Sequence, residues 1–282
     1  MKKSISLLAV LVTVISFTGC KQETKKTKEL VNKVVKKPVV YDTNDPKGML
    51  LAASESLGGF NKLKSLKDVS FTYNYVKPDG KKDISVEKYI FQDEVSWAKY
   101  TSHEINVAPT LKGDAVQFFD GKSATFHING EKNMDPQNVG TSQFLRQANY
   151  MWFTMMHKLT DPGIISKYDG QEEVDGVTYD KVHVTYDPTI TGKEVNDIYV
   201  VYINPKNKMV EQFKFSLPAF GVNAPVLLSK CYYEEINGVK VITKREMFAP
   251  NAEGVYGPML TQTLENIKFN NGYTKESLSK LL

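Results

Sequence analysis

Several places in this sequence carry residue types that could do bond-making chemistry, and each can be weighed against the spacing that chemistry needs. Gly121-Lys122-Ser123 matches the end of a phosphate-binding loop, in which backbone N–H groups cradle phosphates and the lysine reaches them. That loop requires a glycine where Val116 stands and a helix after the serine, whereas Ala124-Thr125-Phe126 has the alternation of a strand, so a hairpin turn is the better reading. His103-Glu104 opens as a zinc-protease motif does, but the second histidine belongs where Val107 is found. The histidines His103, His127, His157 and His183 fall on different elements, so a metal or base role requires the fold to converge two of them with a carboxylate. No serine or cysteine sits in a Gly-x-Ser-x-Gly elbow. Cys231, between Leu227-Leu228 and Tyr232-Tyr233, has the surroundings of a small core residue and not of a reactive thiolate. These residues point to no enzyme and imply no cofactor and no metal.

Cys20 is different, because its chemistry is read from what precedes it. Phe17-Thr18-Gly19-Cys20 has the form of a bacterial lipobox, in which small residues lead to a cysteine that is lipidated and becomes the mature N-terminus. Upstream, Met1-Lys2-Lys3 is a positive n-region, and the 13 residues from Ile5 to Phe17 form an apolar run short for a membrane span. Residues 1–19 are therefore expected to be a signal peptide, and acyl chains on Cys20, worth about 0.8 kcal/mol per buried methylene, to be the membrane attachment. With Cys20 acylated, Cys231 has no partner for an internal disulfide. Residues 21–40 carry seven lysines against Glu23 and Glu29, so the net charge of +4 divides into a basic leash and a nearly neutral remainder. Such a leash suits anionic headgroups and gives no support for nucleic-acid binding. Lys21 directly after the cysteine fits sorting to the outer membrane, with the periplasmic leaflet expected.

The elements that follow are expected to build one domain over residues 46–282, after a lipidated, flexible linker over 20–45. Asp45-Pro46 marks a helix start, Met49, Leu50, Ala53 and Leu57 give its period, and Gly58-Gly59 ends it. A short turn over 60–66 follows. From Val69 the period changes to two, with Phe71, Tyr73 and Tyr75 on one side, and strands are expected near 84–91, 95–101, 114–119, 123–128, 164–172, 177–186, 197–204, 208–217, 226–236, 239–248 and 260–269. Seven Asx-Gly pairs punctuate them, from Asp79-Gly80 to Asn271-Gly272, and such pairs accept positive φ cheaply. Turns this short imply an antiparallel meander. One helix breaks it: residues 141–159, capped by Thr141 or Ser142, place Phe144, Leu145, Ala148, Met151, Trp152, Met155 and Leu159 on one face, with Tyr150, Phe153 and Met156 extending the apolar surface. That helix is expected either to cross the open face of a curved sheet or to plug it. Thr274 caps a short C-terminal helix.

Fourteen phenylalanines, fifteen tyrosines and nine methionines lie mostly in these strands and in the 141–159 helix. Two connections, Ser216 to Ser229 and Met247 to Leu260, are nearly free of charge and suggest a mouth for a hydrophobic ligand or a contact for a protein partner. The capped helix ending in Gly58-Gly59, the leucine-spaced turn, the long meander broken by helices, and the Gly-x-x-x-Val-Asp-Gly-x-x-Tyr stretch from Gly170 to Tyr179 together resemble the outer-membrane lipoprotein carrier superfamily, with its LolA, LolB and LppX types. Tyr150-Met151-Trp152-Phe153 resembles a group of envelope lipoproteins of the same broad shape. The resemblance implies an α+β, mainly β fold: a curved antiparallel half-barrel with helices over its concave side, holding acyl chains or another lipid. Neither Arg146 nor Arg245, the two arginines of the chain, lies in a motif that matches the carriers' ligand-gating arginine. Tyr73, Met151, Trp152, Met155 and Phe215 are the candidate lining residues. Phe220 and Val222 are the candidate contacts for an envelope partner if the same architecture is instead solidly packed.

Overall fold

The described residues, 39–282 of a computed structural model, pack as one unit, and Cys20 with its signal and most of the linker lies outside them. Two helices, α1 (Pro46–Ser56) and α2 (Phe60–Ser65), lead into six strands. These are β1 (Asp68–Val76), β2 (Lys82–Ile90), β3 (Val95–His103), β4 (Ala115–Phe119), β5 (Ala124–Ile128) and β6 (Glu131–Asn133). They step outward from the middle of the sheet to one edge. The chain then runs through α3 (Pro136–Lys158) to β7 (Ile164–Val174), which is the opposite edge. From there β8 (Val177–Tyr186), a single turn of helix α4 (Pro188–Thr191), β9 (Tyr199–Ile203), β10 (Val210–Leu217), β11 (Val222–Ile236), β12 (Val239–Pro250) and β13 (Tyr256–Phe269) return until β13 pairs with β1. Helix α5 (Lys275–Ser279) closes the chain, its cap Thr274 accepting from the Ser277 amide at 3.0 Å.

This order explains why one long helix interrupts the meander. Strands β6 and β7 are consecutive in sequence but lie at opposite edges of thirteen antiparallel strands, so their connection has to traverse the sheet. The 23 residues of α3, rising about 1.5 Å each, supply roughly 35 Å of rigid crossing. The result is an open, curved half-barrel with helices on its concave side, as the resemblance implied.

The Asx-Gly pairs serve in several ways. Asn129-Gly130, Asp175-Gly176 and Asn237-Gly238 are two-residue turns with positive φ at both positions, which matches the twist of the strands they join. Asp169-Gly170 is instead a bulge inside β7, where the pairing with β8 slips between Tyr168 and Gln171.

Three expectations are corrected. Helix α3 begins five residues before Thr141, with Asp135 as its cap and Pro136 at its first position, and the Asn138 amide donates to Asp135 Oδ1 at 2.9 Å. The polar run from Gln137 to Gly140 hides this start, although Asp-Pro is the same signal that opens α1 and also α4. The two uncharged connections are largely strand: β11 begins at Val222, β12 runs to Pro250 and β13 begins at Tyr256. Finally, residues 39–45 are fastened to the domain, because Tyr41 Oη donates to the buried Asp180 carboxylate at 2.7 Å.

The core divides between the ends of the crossing. One cluster joins Met49 and Leu50 of α1 and the Leu57 that caps it with Met155 and Met156 of α3 and the Leu159 that caps it, and with strands β7 to β13. A second sets Leu63 of α2 and Tyr150 of α3 on Phe71, Tyr73 and Tyr89.

Candidate functional site

Up to Thr154, α3 meets the sheet through a polar stripe where its apolar pattern predicts an apolar one, while Met155, Met156 and Leu159 at its end are buried as that pattern predicts. The most deeply buried residues of its first three turns on the sheet are Ser142, Arg146, Tyr150 and Thr154, a polar stripe at four-residue spacing, followed by His157. Strand β2 shows the same inversion: its period of two is as expected, but Asp83, Ser85, Glu87 and Tyr89 point inward while Val86 is exposed. The two inversions answer each other. Arg146 makes a two-pronged ion pair with Glu87, through Nη1 to Oε2 and through Nη2 to Oε1 at 3.1 Å, both side chains having no exposure to solvent. Its Nε donates to Gln117 Oε1 at 3.0 Å and Nη2 to Tyr100 Oη at 2.8 Å, while Ser85 and Tyr89 hydroxyls donate to the two Glu87 oxygens at 2.7 and 2.9 Å. Burial alone would lower the Arg146 pKa, but the Glu87 charge outweighs it and holds the guanidinium ionised.

Further along the helix, His157 Nδ1 lies 2.8 Å from Ser54 Oγ of α1, and its ring stacks on Phe60 at 5.7 Å. Burial pushes this imidazole down to a pKa of about 4.

With the polar stripe turned inward, part of the apolar face of α3 is left over a hollow. Phe144, Ala148, Met151 and Trp152 of α3, with Tyr186 of β8, Tyr199 of β9, Phe215 and Leu217 of β10 and Ala219, enclose a cavity of about 370 Å3. Its rim is polar, formed by Gln147 and by Thr191, Lys193, Asn196 and Asp197 of the connection between β8 and β9. The floor is aromatic: Trp152 packs edge-on to Phe215 at 5.3 Å and against Phe213 at 5.7 Å, and Tyr199 meets Phe213 at 6.2 Å. Burial raises the Asp197 carboxyl pKa, with Lys193 partly opposing it, and burial followed by the Asp197 charge raises the Tyr186 phenol. Two other hollows, of about 500 and 430 Å3, adjoin polar groups that already pair: Lys158 with Glu94, and Tyr179 with Glu211.

Of the residues expected to line a ligand space, Met151, Trp152 and Phe215 border this cavity. Met155 is buried in the core against α1, and Tyr73 faces a void of about 10 Å3 on the far side of Trp152. Phe220 follows the cavity's edge residue Ala219 in a 3-10 turn, is 67 % exposed and touches the Phe144 ring at 5.7 Å. Val222 opens β11 opposite Leu217 and packs on the core. The rim residues Lys193 and Asp197 went unrecognised in sequence because they sit in a polar connection that carries no motif. Arg245 of β12 is also buried, with Nη2 donating to the Trp152 carbonyl and Nη1 to Gln262 Oε1 at 3.4 Å, its guanidinium 5.3 Å from the Trp152 ring. Among the described residues it has no carboxylate partner, and its Nε has no acceptor. Cys231 is buried, and burial pushes its thiol up to about 11, away from thiolate chemistry. No three His, Cys, Asp or Glu among the described residues gather as a metal site, and no helix among them is long and apolar enough to cross a membrane.

Residues 131–224 match a family of unknown function, DUF6503, and that stretch contains every residue lining the cavity. No curated protein matches the chain. Among solved structures, a LolA superfamily protein from Nitrosomonas europaea is 12 % identical with a TM-score of 0.46, over 80 % of this chain and 96 % of that one. A DUF1329 family protein from Desulfovibrio piger is 11 % identical with a TM-score of 0.43, over 84 % of this chain and all of the other. The Mycobacterium tuberculosis lipoprotein LppX is 13 % identical with a TM-score of 0.28, over 80 % and 97 % of the two chains.

Proposed function

We propose that this chain is a non-enzymatic envelope lipoprotein that binds the apolar part of a lipid or acyl chain in the cavity between α3 and strands β8 to β10. The observation that carries this reading is the apolar face of α3 left over an aromatic hollow, with its polar stripe spent on the sheet. A helix buried for stability alone would put the apolar face inward. Binding of about 25 cal/mol per Å2 of apolar area removed from water would supply the affinity without a charged anchor. Tethering through acylated Cys20, with the basic leash toward headgroups of the outer membrane's periplasmic leaflet, would hold the domain where such ligands are found.

Native mass spectrometry of the protein before and after lipid extraction tests the ligand. The expected result is a lipid-sized adduct that is absent after extraction, returns with added lipid and is not taken up by Ala148→Trp, which fills the cavity. An extracted protein that takes up no lipid or fatty-acid probe refutes the reading. Replacing Cys20 with serine should release folded protein from the membrane fraction, and unchanged fractionation refutes the anchor.

A second reading has one observation in its favour. Phe220 is exposed at the cavity edge and covered only on its Phe144 side, as a contact for an envelope protein would be. That reading expects a co-purifying partner that is lost on Phe220→Asp or Val222→Asp while lipid uptake is absent.

A further inference from the structure

Two phenols and two charged groups at the cavity stand without side-chain partners among the described residues. On the rest of the sheet the phenols of Tyr89, Tyr100, Tyr179, Tyr202 and Tyr233 each donate to a carboxylate, an amide or a carbonyl. The Tyr186 and Tyr199 phenols, which border the cavity, make no hydrogen bond to any described residue. The Lys193 ammonium has no hydrogen bond or ion pair among them either. The Asp197 carboxylate meets only its own backbone N–H, and Lys193 is near enough for its charge to be felt there without forming an ion pair. A carboxylate half withdrawn from water, with no donor but its own amide, is costly unless a cation completes it.

We infer that the ligand is a single-chain amphiphile with a zwitterionic head, its ammonium group seated on Asp197 beside the tyrosines and its anionic group on Lys193. The inference rests on the apolar-ligand reading of the same cavity and adds which head the rim accepts. Two opposite charges stand on one rim, so a simple anion meets Lys193 but is repelled by Asp197, and a simple cation meets the reverse. Only a head carrying both signs satisfies both. The aromatic walls favour the ammonium further, since ring faces attract organic cations. Size points to one chain and not two: at roughly 30 Å3 per water-sized group, about 370 Å3 holds about a dozen carbon-sized groups.

The test is titration calorimetry of the delipidated protein with four probes of equal chain, each below its micelle concentration: decylphosphocholine, decanoic acid, decyltrimethylammonium and decanol. Decylphosphocholine should bind most tightly. Asp197→Asn should weaken it about tenfold without weakening decanoic acid, and Lys193→Gln should weaken it about as much without weakening the cation. Neither side chain has an internal hydrogen-bond or ion-pair partner to lose, so neither variant should unfold below the temperature of the parent protein, and Asp197→Asn, which removes a half-buried charge, should unfold at or above it. Equal affinity for all four probes, with neither substitution mattering, overturns the inference and leaves the apolar-ligand reading intact. Preference for decanoic acid or for the cation overturns it as well. If no probe binds, the apolar-ligand reading itself falls, and the inference with it.

Discussion

Helix α3 presents two faces that do opposite things with polarity. Toward β2, β3 and β4 it sends Ser142, Arg146 and Tyr150, and Arg146 is met by Glu87, Gln117 and Tyr100. Toward β8, β9 and β10 it sends Phe144, Ala148 and Met151, which border a hollow with unpaired polar groups at its rim, although Met151 also touches the core and Phe144 the Phe220 ring. The first face is a lock, in which a buried charge is matched atom by atom. The second is an incomplete core. A helix that only had to cover a sheet would be expected to bury its apolar side, so the lock has a consequence: it fixes the rotation of α3 that leaves the apolar side over the cavity.

The lock can be broken at its centre, and this carries the largest expected effect. Arg146→Met leaves the Glu87 carboxylate buried with two hydroxyl donors but no cation, and should destabilise the protein by about 3–5 kcal/mol in urea unfolding. Combining it with Glu87→Leu should recover much of that loss, because an apolar pair of similar volume leaves no orphaned charge. The double variant also separates stability from orientation. If the ion pair sets the rotation of α3, a refolded double variant takes up less lipid than its stability alone would predict.

His157, further along the same helix and outside the lock, gives the fold a pH limit. Its imidazole is neutral in the native state down to a pKa of about 4, whereas in the unfolded chain it titrates near about 6.5. Above about pH 6.5 both states are neutral and the full stability is present. As pH falls from there toward 4, the unfolded state takes up a proton that the native state refuses, so stability is lost by up to about 3 kcal/mol. Ser54 Oγ and the Phe60 ring face the imidazole, and neither titrates in this range. His157→Gln keeps a group able to bond Ser54 and should flatten the slope of unfolding free energy against pH across this window. A slope equal to that of the parent would assign the dependence to carboxylates instead.

Much of the architecture was legible because local signals set it. Asp45-Pro46 opened α1 where its proline and cap predict, and five of the seven Asx-Gly pairs divided strands, with Asp169-Gly170 a bulge inside β7 and Asn271-Gly272 lying after β13. What could not be read was phase. Alternation in β2 shows a period of two but not which set faces inward, and the inward set, Asp83, Ser85, Glu87 and Tyr89, is the more polar one. That choice depends on Arg146, 59 residues away, which as a lone arginine on a helix reads as a surface residue. The cavity was half legible for the same reason: Met151, Trp152 and Phe215 follow from apolar pattern, while Lys193 and Asp197 acquire meaning only when α4 and the loop after it fold over the end of β8.

The two buried arginines allow the smallest and sharpest test of the comparison. Arg245 is as deeply buried as Arg146, yet where Arg146 has a carboxylate, Arg245 has the Trp152 carbonyl, one long bond to Gln262 and a bare Nε. Desolvation of its charge is therefore offset far less completely, and removing the charge should cost little. Arg245→Met, which keeps the length of the stem against Trp152, should change unfolding free energy by less than about 1 kcal/mol, against the several lost at Arg146. A loss as large as that of Arg146→Met would mean that the bond from Arg245 to the helix backbone holds α3 as firmly as the ion pair does. The rotation of α3, and with it the cavity, would then depend on both ends of the crossing.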